Sequence, residues 1–138
     1  MFPANTRFLV VDDFKTMRSI VKKTLQNMGF SDILEAEDGA QAFQLMAQEA
    51  AAGKPFQCVV CDWNMPNMSG LELLKKVRVD ANYKSVPFVL VTAENEQKQV
   101  IEAAKAGVSN YIVKPFTPND FQAKMAMVYK KHFPAAAA

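Results

Sequence analysis

The sequence has few of the residues that cross-link, anchor or export a protein chain. Its 138 residues include two cysteines and one histidine, too few for a disulfide framework or for a structural zinc site with four cysteine and histidine ligands. No apolar run approaches the roughly 20 residues of a membrane span. The amino terminus also lacks the basic and then apolar layout of a signal peptide. We therefore expect a cytoplasmic protein.

An excess of one charge is also lacking. The formal net charge is +2, which is too small to indicate nucleic acid or an anionic membrane as the main partner. Half of the residues are hydrophobic and 22% are charged, as in an ordinary soluble domain. No linker or internal repeat divides the chain, and its length suits one domain. We predict a single domain over residues 1–138, with a core at about 7–131 and short tails.

The two cysteines, Cys58 and Cys61, have the C-x-x-C spacing of some redox and metal sites. They fall in an apolar run that predicts a strand, however, and residues three apart on a strand point to opposite faces. The only histidine, His132, is far away near the carboxyl end. We interpret both cysteines as small buried residues.

Short apolar or β-branched runs alternate five times with stretches of helical periodicity. The runs predict strands at residues 7–11, 33–36, 58–61, 87–92 and 110–113. Three of the five helices between and after them are preceded by good capping residues, which are Asp38, Ser69 and Thr117.

This strict alternation predicts an α/β fold, with a parallel sheet and helices on both faces. The fourth helix is predicted over 96–106, and its spacing predicts that Val100, Ile101 and Ala104 face the core. Pro134 is expected to end the fifth helix.

A parallel sheet brings the carboxyl ends of its strands to one edge, where ligands of open α/β sheets gather. That edge receives Asp12 and Asp13 after the first strand and Asp62 after the third. It also receives Thr92 from the fourth strand and Lys114 after the fifth. Crowded carboxylates raise one another's pKa unless a cation is present. Mg²⁺ suits such a set of carboxylates together with water and phosphate.

Together these side chains predict an aspartyl-phosphate site. A carboxylate can attack phosphorus, and a metal ion can polarise the phosphoryl oxygens. Lys114 would offset the added charge, and the hydroxyl of Thr92 would reach a tetrahedral anion. Each residue alone has a simpler explanation, such as a helix cap for Asp12 or Asp13. The prediction depends on finding all of them at the strand ends of one sheet.

Two other classes of protein use a similar sheet. A flavodoxin-type FMN carrier would need a loop rich in glycine and hydroxyl groups after the first strand, where Asp12 and Asp13 would repel phosphate; a colourless preparation would exclude it. A phosphatase of the haloacid dehalogenase type would need a second Asp where Asn64 stands. Lack of turnover on phosphate esters would exclude that class.

Four segments resemble the receiver domain of two-component response regulators, and within that family the chemotaxis regulators of the CheY type. They are Val10–Asp13, Asp62–Met68, Val91–Glu94 and Val113–Thr117. The resemblance covers about residues 7–131 and implies a flavodoxin-like fold with strand order 2-1-3-4-5. It also implies that the peptide bond between Lys114 and Pro115 is cis.

The resemblance assigns roles to the residues at the strand ends. It implies that Asp62 accepts a phosphoryl group from a histidine kinase, and that Lys114 and Thr92 contact that group. The implied Mg²⁺ ligands are Asp12, Asp13, Asp62 and the main-chain carbonyl of Asn64, with Asp12 acting mainly through a metal-bound water. Tyr111 would be an aromatic rotamer switch, and Asn64 and Glu94 would tune dephosphorylation.

These roles imply a monomeric phosphorylation switch rather than an enzyme that turns over external substrates. Its partners would be a chemotaxis histidine kinase, a flagellar motor switch protein and a phosphatase. Phosphorylation would alter the face formed by the fourth helix, fifth strand and fifth helix. The alternative is a receiver that acts as a phosphate sink or relay in another two-component pathway.

The sequence departs from the family in two places. Ser69 stands where the family often has Asp, and Ser caps a helix equally well. The segment Gln48–Lys54 is longer than in close relatives, and the sequence offers no function for it. The tail Ala135–Ala138 carries no structural signal.

Overall fold

The computed structural model describes residues 1–93 and 97–134. Within these residues, five strands alternate with five helices. Their bounds are β1 Arg7–Val11, α1 Lys15–Asn27, β2 Asp32–Ala36, α2 Gly39–Ala51, β3 Cys58–Asp62, α3 Gly70–Arg78, β4 Phe88–Thr92, α4 Gln97–Ala106, β5 Asn110–Val113 and α5 Pro118–His132. In the described part of the chain, no helix has the length and apolar character needed to span a bilayer.

The strands form one sheet in the order β2-β1-β3-β4-β5, and every neighbouring pair is parallel. This confirms the predicted flavodoxin-like α/β fold and its strand order. Two strands, β3 and β4, are buried along their whole length because helices cover both faces. We call the end of the sheet where the strands begin the amino edge, and the end where they finish the carboxyl edge.

The core has two parts, one on each face of the sheet. Leu9, Val59 and Leu90 pack on one face with residues of α2, α3 and α4. Phe8 and Val60 pack on the other face with residues of α1 and α5. This division follows from the alternation of side chains along each strand. It also separates the cysteines as predicted, because Cys61 belongs to the first cluster and Cys58 to the second, and both are buried free thiols.

The predicted capping residues begin their helices. Asp38 accepts a hydrogen bond from the backbone N–H of Gln41 at 2.7 Å. Ser69 and Thr117 each form a capping box with the acidic residue three positions later. The fifth helix ends at His132, with Phe133 as its C-cap, close to the predicted stop at Pro134. These caps fix where α2, α3 and α5 leave the carboxyl edge.

The predicted inward face of α4 is wrong for Ile101 and Ala104, whereas Val100 is half-buried. Ala103 is fully buried, whereas Ile101 is 45% exposed and Ala104 is also exposed. The helix is rich in alanine and has few large apolar residues, so spacing alone did not define its orientation. The helix therefore presents Ile101 to solvent instead of to the sheet.

At the amino edge, Arg7 binds the segment Gln48–Lys54 at two places. Its guanidinium forms ion pairs with Asp32 at 3.0 Å and Glu49 at 2.9 Å, and Nη1 also donates to the carbonyl of Lys54. The guanidinium lies over the ring of Phe56, 5.2 Å from its centroid. One side chain thus ties the end of α2 and its connector to β1 and β2.

A second arginine, Arg78, holds the amino edge near β4 and β5. Its Nη1 donates to the carbonyl of Val86 at 2.6 Å, and its Nε donates to the carbonyl of Gly107 at 2.8 Å. Nearby, Ser109 Oγ lies 2.7 Å from Nε2 of His132. These contacts join α3, α5 and the connections that precede β4 and β5.

Candidate functional site

The carboxyl edge brings the three predicted acids together. Asp12 and Asp13 follow β1, and Asp62 is the last residue of β3, the strand beside it. One carboxylate oxygen from each lies within 4.8 Å of the others. Asp12 and Asp62 are buried, while Asp13 is exposed to solvent. The predicted convergence of these carboxylates is therefore present in the fold.

Asp12 is held by its surroundings on several sides. Its backbone N–H donates to the carbonyl of Ala36 at 3.1 Å, and its Oδ1 accepts from the backbone N–H of Phe14 at 2.9 Å. Burial raises the pKa of Asp12 to about 6, and the nearby charges of Asp62 and Asp13 add to the rise. A buried carboxylate with a raised pKa is a group that gains from a bound cation.

Asp62 is paired with the predicted lysine. Lys114 Nζ lies 2.5 Å from Asp62 Oδ1, and the Asp62 side chain also accepts a hydrogen bond from the backbone of Asn64. Burial raises the pKa of Asp62, while the ammonium of Lys114 pulls in the opposite direction. Lys114 thus supplies positive charge beside the carboxylate that is predicted to react.

Gly70 allows α3 to begin close to the end of β3. A Cβ built on Gly70 would lie 2.2 Å from the backbone oxygen of Asp62 and 2.8 Å from the side chain of Leu90. The backbone N–H of Gly70 instead donates to the carbonyl of Trp63 at 2.8 Å. Glycine is therefore required here, and its close approach sets the backbone after Asp62.

Thr92 and Tyr111 occupy one face of the sheet. Thr92 ends β4 and is buried, and Leu90 pairs in register with Tyr111 on β5. Because Thr92 lies two residues after Leu90, its side chain shares the face of Leu90 and Tyr111. Tyr111 is half-buried, and Lys124 Nζ lies 5.2 Å from the centroid of its ring. Thr92 and Tyr111, which are predicted to move one after the other, thus lie on neighbouring strands and on the same face of the sheet.

The loop after β5 carries Lys114 to the site. The peptide bond between Lys114 and Pro115 is cis, as the family resemblance implied. The backbone N–H of Lys114 donates to the carbonyl of Thr92 at 2.7 Å. This contact connects the end of β4 to the residue that pairs with Asp62.

A cleft of about 550 Å³ opens above these residues. Besides the acids, Asn64 and Lys114, it is lined by Phe14, Thr16, Met17 and Ala93. Asn64, one of the two predicted tuning residues, lines this cleft and is exposed to solvent. Glu94, the other predicted tuning residue, lies outside the described residues, as does the tail Ala135–Ala138.

Sequence reasoning missed Arg18 as part of this region. Arg18 lies on α1 and is only 8% exposed, and its Nη1 donates to the backbone carbonyl of Asp12 at 2.9 Å. It is one of three buried residues of α1, with Val21 and Leu25. A cation that falls in the apolar stripe of a helix was the available signal.

The donor set fits Mg²⁺. Three carboxylates supply hard oxygen ligands close enough to share one ion, which is the chemistry that Mg²⁺ prefers in proteins. Within residues 1–93 and 97–134, Asp62 forms an ion pair with Lys114, while Asp12 and Asp13 form none. Negative charge therefore exceeds positive charge at the site, as a divalent cation would require.

Comparisons with known proteins agree with this geometry. The profile of the response regulator receiver domain matches residues 8–126. The chain is 47% identical over 122 residues to chemotaxis protein CheY1 of Helicobacter pylori, covering 88% of this chain and 95% of that protein. It is 48% identical over 119 residues to a CheY homologue of Campylobacter jejuni, covering 86% of this chain and 88% of that protein.

A solved structure shows the same likeness in three dimensions. The chain superposes on CheY4 of Vibrio cholerae with a TM-score of 0.78 and 32% identity, covering 91% of this chain and 99% of that one. The segment 8–126 that matches the family contains β2 to β5, all of β1 except Arg7, and the residues at the carboxyl ends of the strands. The similarity therefore includes the whole sheet and the cleft.

Proposed function

Because the chain belongs to the response regulator receiver domain family and is of the chemotaxis type, we propose that Asp62 accepts a phosphoryl group from a histidine kinase. The observation that carries this proposal is the 2.5 Å contact between Lys114 Nζ and Asp62 Oδ1 beside two further carboxylates. A paired and buried carboxylate at a strand end has a fixed orientation, which a nucleophile needs.

In the proposed reaction, an oxygen of Asp62 attacks the phosphorus of a phosphohistidine. The new oxygen–phosphorus bond forms as the nitrogen–phosphorus bond breaks, and the histidine ring keeps the electron pair. Lys114 then faces the added negative charge, and the hydroxyl of Thr92 donates a hydrogen bond to a phosphoryl oxygen. The protein is modified only at its own Asp62, so it does not act as an enzyme on external substrates.

Mg²⁺ would be held by Asp12, Asp13, Asp62 and the main-chain carbonyl of Asn64, and it would offset charge on the transferring group. The chain's own contribution is to keep these oxygens in place before the donor arrives. Water reaches the phosphoryl group from the exposed rim of the cleft, where Asn64 lies. Asn64, together with Glu94, would therefore tune the rate of hydrolysis.

The output would pass from Thr92 to Tyr111. Movement of Thr92 toward the phosphoryl group frees space on the sheet face that the two residues share, and Tyr111 turns inward. The surface formed by α4, β5 and α5 then changes its affinity for a target, which is a shift between two populated states. On this surface the exposed Ile101 is an apolar contact that a partner could bury. The proposed target is the flagellar motor switch protein, and the protein would bind it as a monomer.

Labelling and binding test the two halves of this proposal. Wild-type protein with Mg²⁺ and a small phosphodonor should acquire one phosphoryl group by intact mass, and Asp62→Asn should acquire none. Glu37→Gln is the control, because Glu37 is exposed and outside the cleft. Labelling of Asp62→Asn at the wild-type level would contradict the assignment.

Binding is measured by pull-down with the motor switch protein of the source bacterium, with and without the phosphodonor. Phosphorylated protein should bind more tightly, and Ile101→Ser should weaken that binding without affecting labelling. Ile20→Ser is the matched control, since Ile20 is 46% exposed but lies on α1. Normal labelling with no phosphorylation-dependent binding would favour a phosphate sink or relay in another pathway.

A further inference from the structure

Arg18 is a buried cation beside the acidic site, yet the proposed chemistry gives it no role. Its Nη1 donates to the backbone carbonyl of Asp12 at 2.9 Å, and its Nε donates to Glu35 Oε1 at 3.2 Å. Glu35 also pairs with Lys22 at 3.3 Å. A guanidinium is seldom buried unless its donors are satisfied, so these two contacts account for its position.

The contact with Arg18 holds the one backbone group of Asp12 that its other contacts leave unbound. Asp12 is bound through its N–H by Ala36 and through its carboxylate by Phe14, and Arg18 binds the remaining backbone group. The carbonyl of Asp12 belongs to the peptide unit that leads into Asp13. Fixing this carbonyl therefore fixes the direction in which Asp13 leaves the sheet.

We infer that Arg18 is a positioning residue for the cation site, which holds the Asp12–Asp13 peptide in the orientation that brings both carboxylates to Asp62. The inference rests on the proposed Mg²⁺-dependent function. Arginine suits the task because its planar group can bind Glu35 and Asp12 in fixed directions at once. Glu35 in turn orients the guanidinium from the end of β2.

The contact with Glu35 alone is a poor reason to bury Arg18. The Glu35 side chain is 33% exposed, and ion pairs of this kind contribute little to stability. Lys22 pairs with the same carboxylate from a half-buried position, and among the described residues no hydrogen bond or ion pair joins its side chain to Asp12. Lys22 therefore serves as an internal control, because its removal alters Glu35 but leaves the acidic loop held.

The experiment measures Mg²⁺ affinity through the fluorescence of Trp63, the only tryptophan, which follows Asp62 directly. Arg18→Met should raise the Kd for Mg²⁺ about tenfold, as loss of a group that orients metal ligands commonly does. Lys22→Met should leave the Kd unchanged. Arg18→Lys should recover part of the affinity, because an ammonium can still donate to the carbonyl of Asp12.

Two further measurements separate positioning from general stability. Denaturant unfolding in EDTA reports the stability of each variant without metal, and labelling at saturating Mg²⁺ should return to within about twofold of wild type if only the cation site is loosened. A wild-type Kd in Arg18→Met, with Mg²⁺ binding by the wild-type protein, would overturn this inference alone. Failure of the wild-type protein to bind Mg²⁺ would overturn the inference and the proposed function together.

Arg18→Met could also fail to fold, because it leaves a buried carbonyl unpaired. In that case Arg18→Lys becomes the deciding variant, since it keeps the charge but loses the fork of donors. It must bind Mg²⁺ more weakly than Lys22→Met does. Equal affinities would contradict the positioning role.

Discussion

At the amino edge of the sheet, Arg7 and Arg78 each donate to at least two oxygen atoms, whereas at the carboxyl edge only one of the three carboxylates, that of Asp62, forms an ion pair within the described chain, with Lys114. The arginines satisfy carbonyls and acids that would otherwise be unpaired. The acids of the carboxyl edge are instead crowded by one another, and burial raises the pKa of two of them.

This difference separates stability from function along the same strands. A charge whose partners are all present holds connections together and adds to the free energy of unfolding. A charge that lacks a partner costs stability but remains available to a cation or a phosphoryl group. Removing a charged side chain should therefore have opposite effects at the two edges.

The largest effect on stability is expected at the amino edge. Arg78→Ala should lower the free energy of unfolding by about 2 kcal/mol, because the carbonyls of Val86 and Gly107 lose a charged donor. Urea unfolding of the metal-free protein measures this change. Lys75→Ala is the control, since Lys75 is an exposed residue of the same helix. Equal stability of the two variants would contradict a stabilising role for the Arg78 contacts at the amino edge.

A smaller effect of opposite sign is expected at the carboxyl edge. Asp12 has a pKa of about 6 in the fold, above its ordinary value of 3.8. At pH 7.5 the carboxylate is charged in both the folded and the unfolded state, and holding that charge in the fold lowers the free energy of unfolding. Asp12→Asn should raise the free energy of unfolding in EDTA by about 1 kcal/mol, and the amide oxygen can still accept from Phe14. The same unfolding measurement checks this, and a loss of stability would contradict it.

The smallest effect concerns the response of the amino edge to acid. Burial lowers the pKa of His132 below 6.5, and the charges of Arg78 and Lys131 act in the same direction. Ser109 Oγ accepts from the N–H of Phe88 at 3.0 Å, so its own hydrogen can be donated to His132 Nε2. A proton on Nε2 would turn this nitrogen into a donor that faces an oxygen already accepting from Phe88 and, at 3.5 Å, from Nη2 of Arg78.

The folded state therefore binds this proton less tightly than the unfolded chain does. The stabilising contribution is complete above about pH 6.5, and it is lost as the pH falls through the lower pKa of the folded state. Between pH 7.5 and pH 5, the Tm of the wild-type protein should fall by more than the Tm of His132→Asn does. Thermal unfolding in EDTA checks this, and identical pH dependences would show that His132 is not involved.

The elements of the fold were predictable because local signals agreed with one another. Apolar runs defined the strands to within a residue or two, and Asp38, Ser69 and Thr117 marked the starts of helices because their side chains bind backbone groups only a few residues away. The cluster of Asp12, Asp13 and Asp62 was predictable because a parallel sheet places strand ends together whatever the details of packing.

The arginine contacts were not predictable in this way. Arg7, Arg18 and Arg78 bind groups that are between 6 and 47 residues away in the chain, and half of the acceptors are backbone carbonyls, which every residue has. The orientation of α4 failed for a related reason. Ala103 and Ala104 differ little in chemistry, so only the packing of the folded chain decides which of them is buried.

The cysteines have a practical consequence. Cys58 and Cys61 are buried on opposite faces of the sheet, and burial raises the pKa of both thiols. Because the thiolate is the reactive form, neither should react with alkylating reagents while the sheet is closed. A new cysteine placed on the surface can therefore carry a spectroscopic probe without replacing the native pair. The slow modification of the native thiols would then report the rate at which the whole molecule opens.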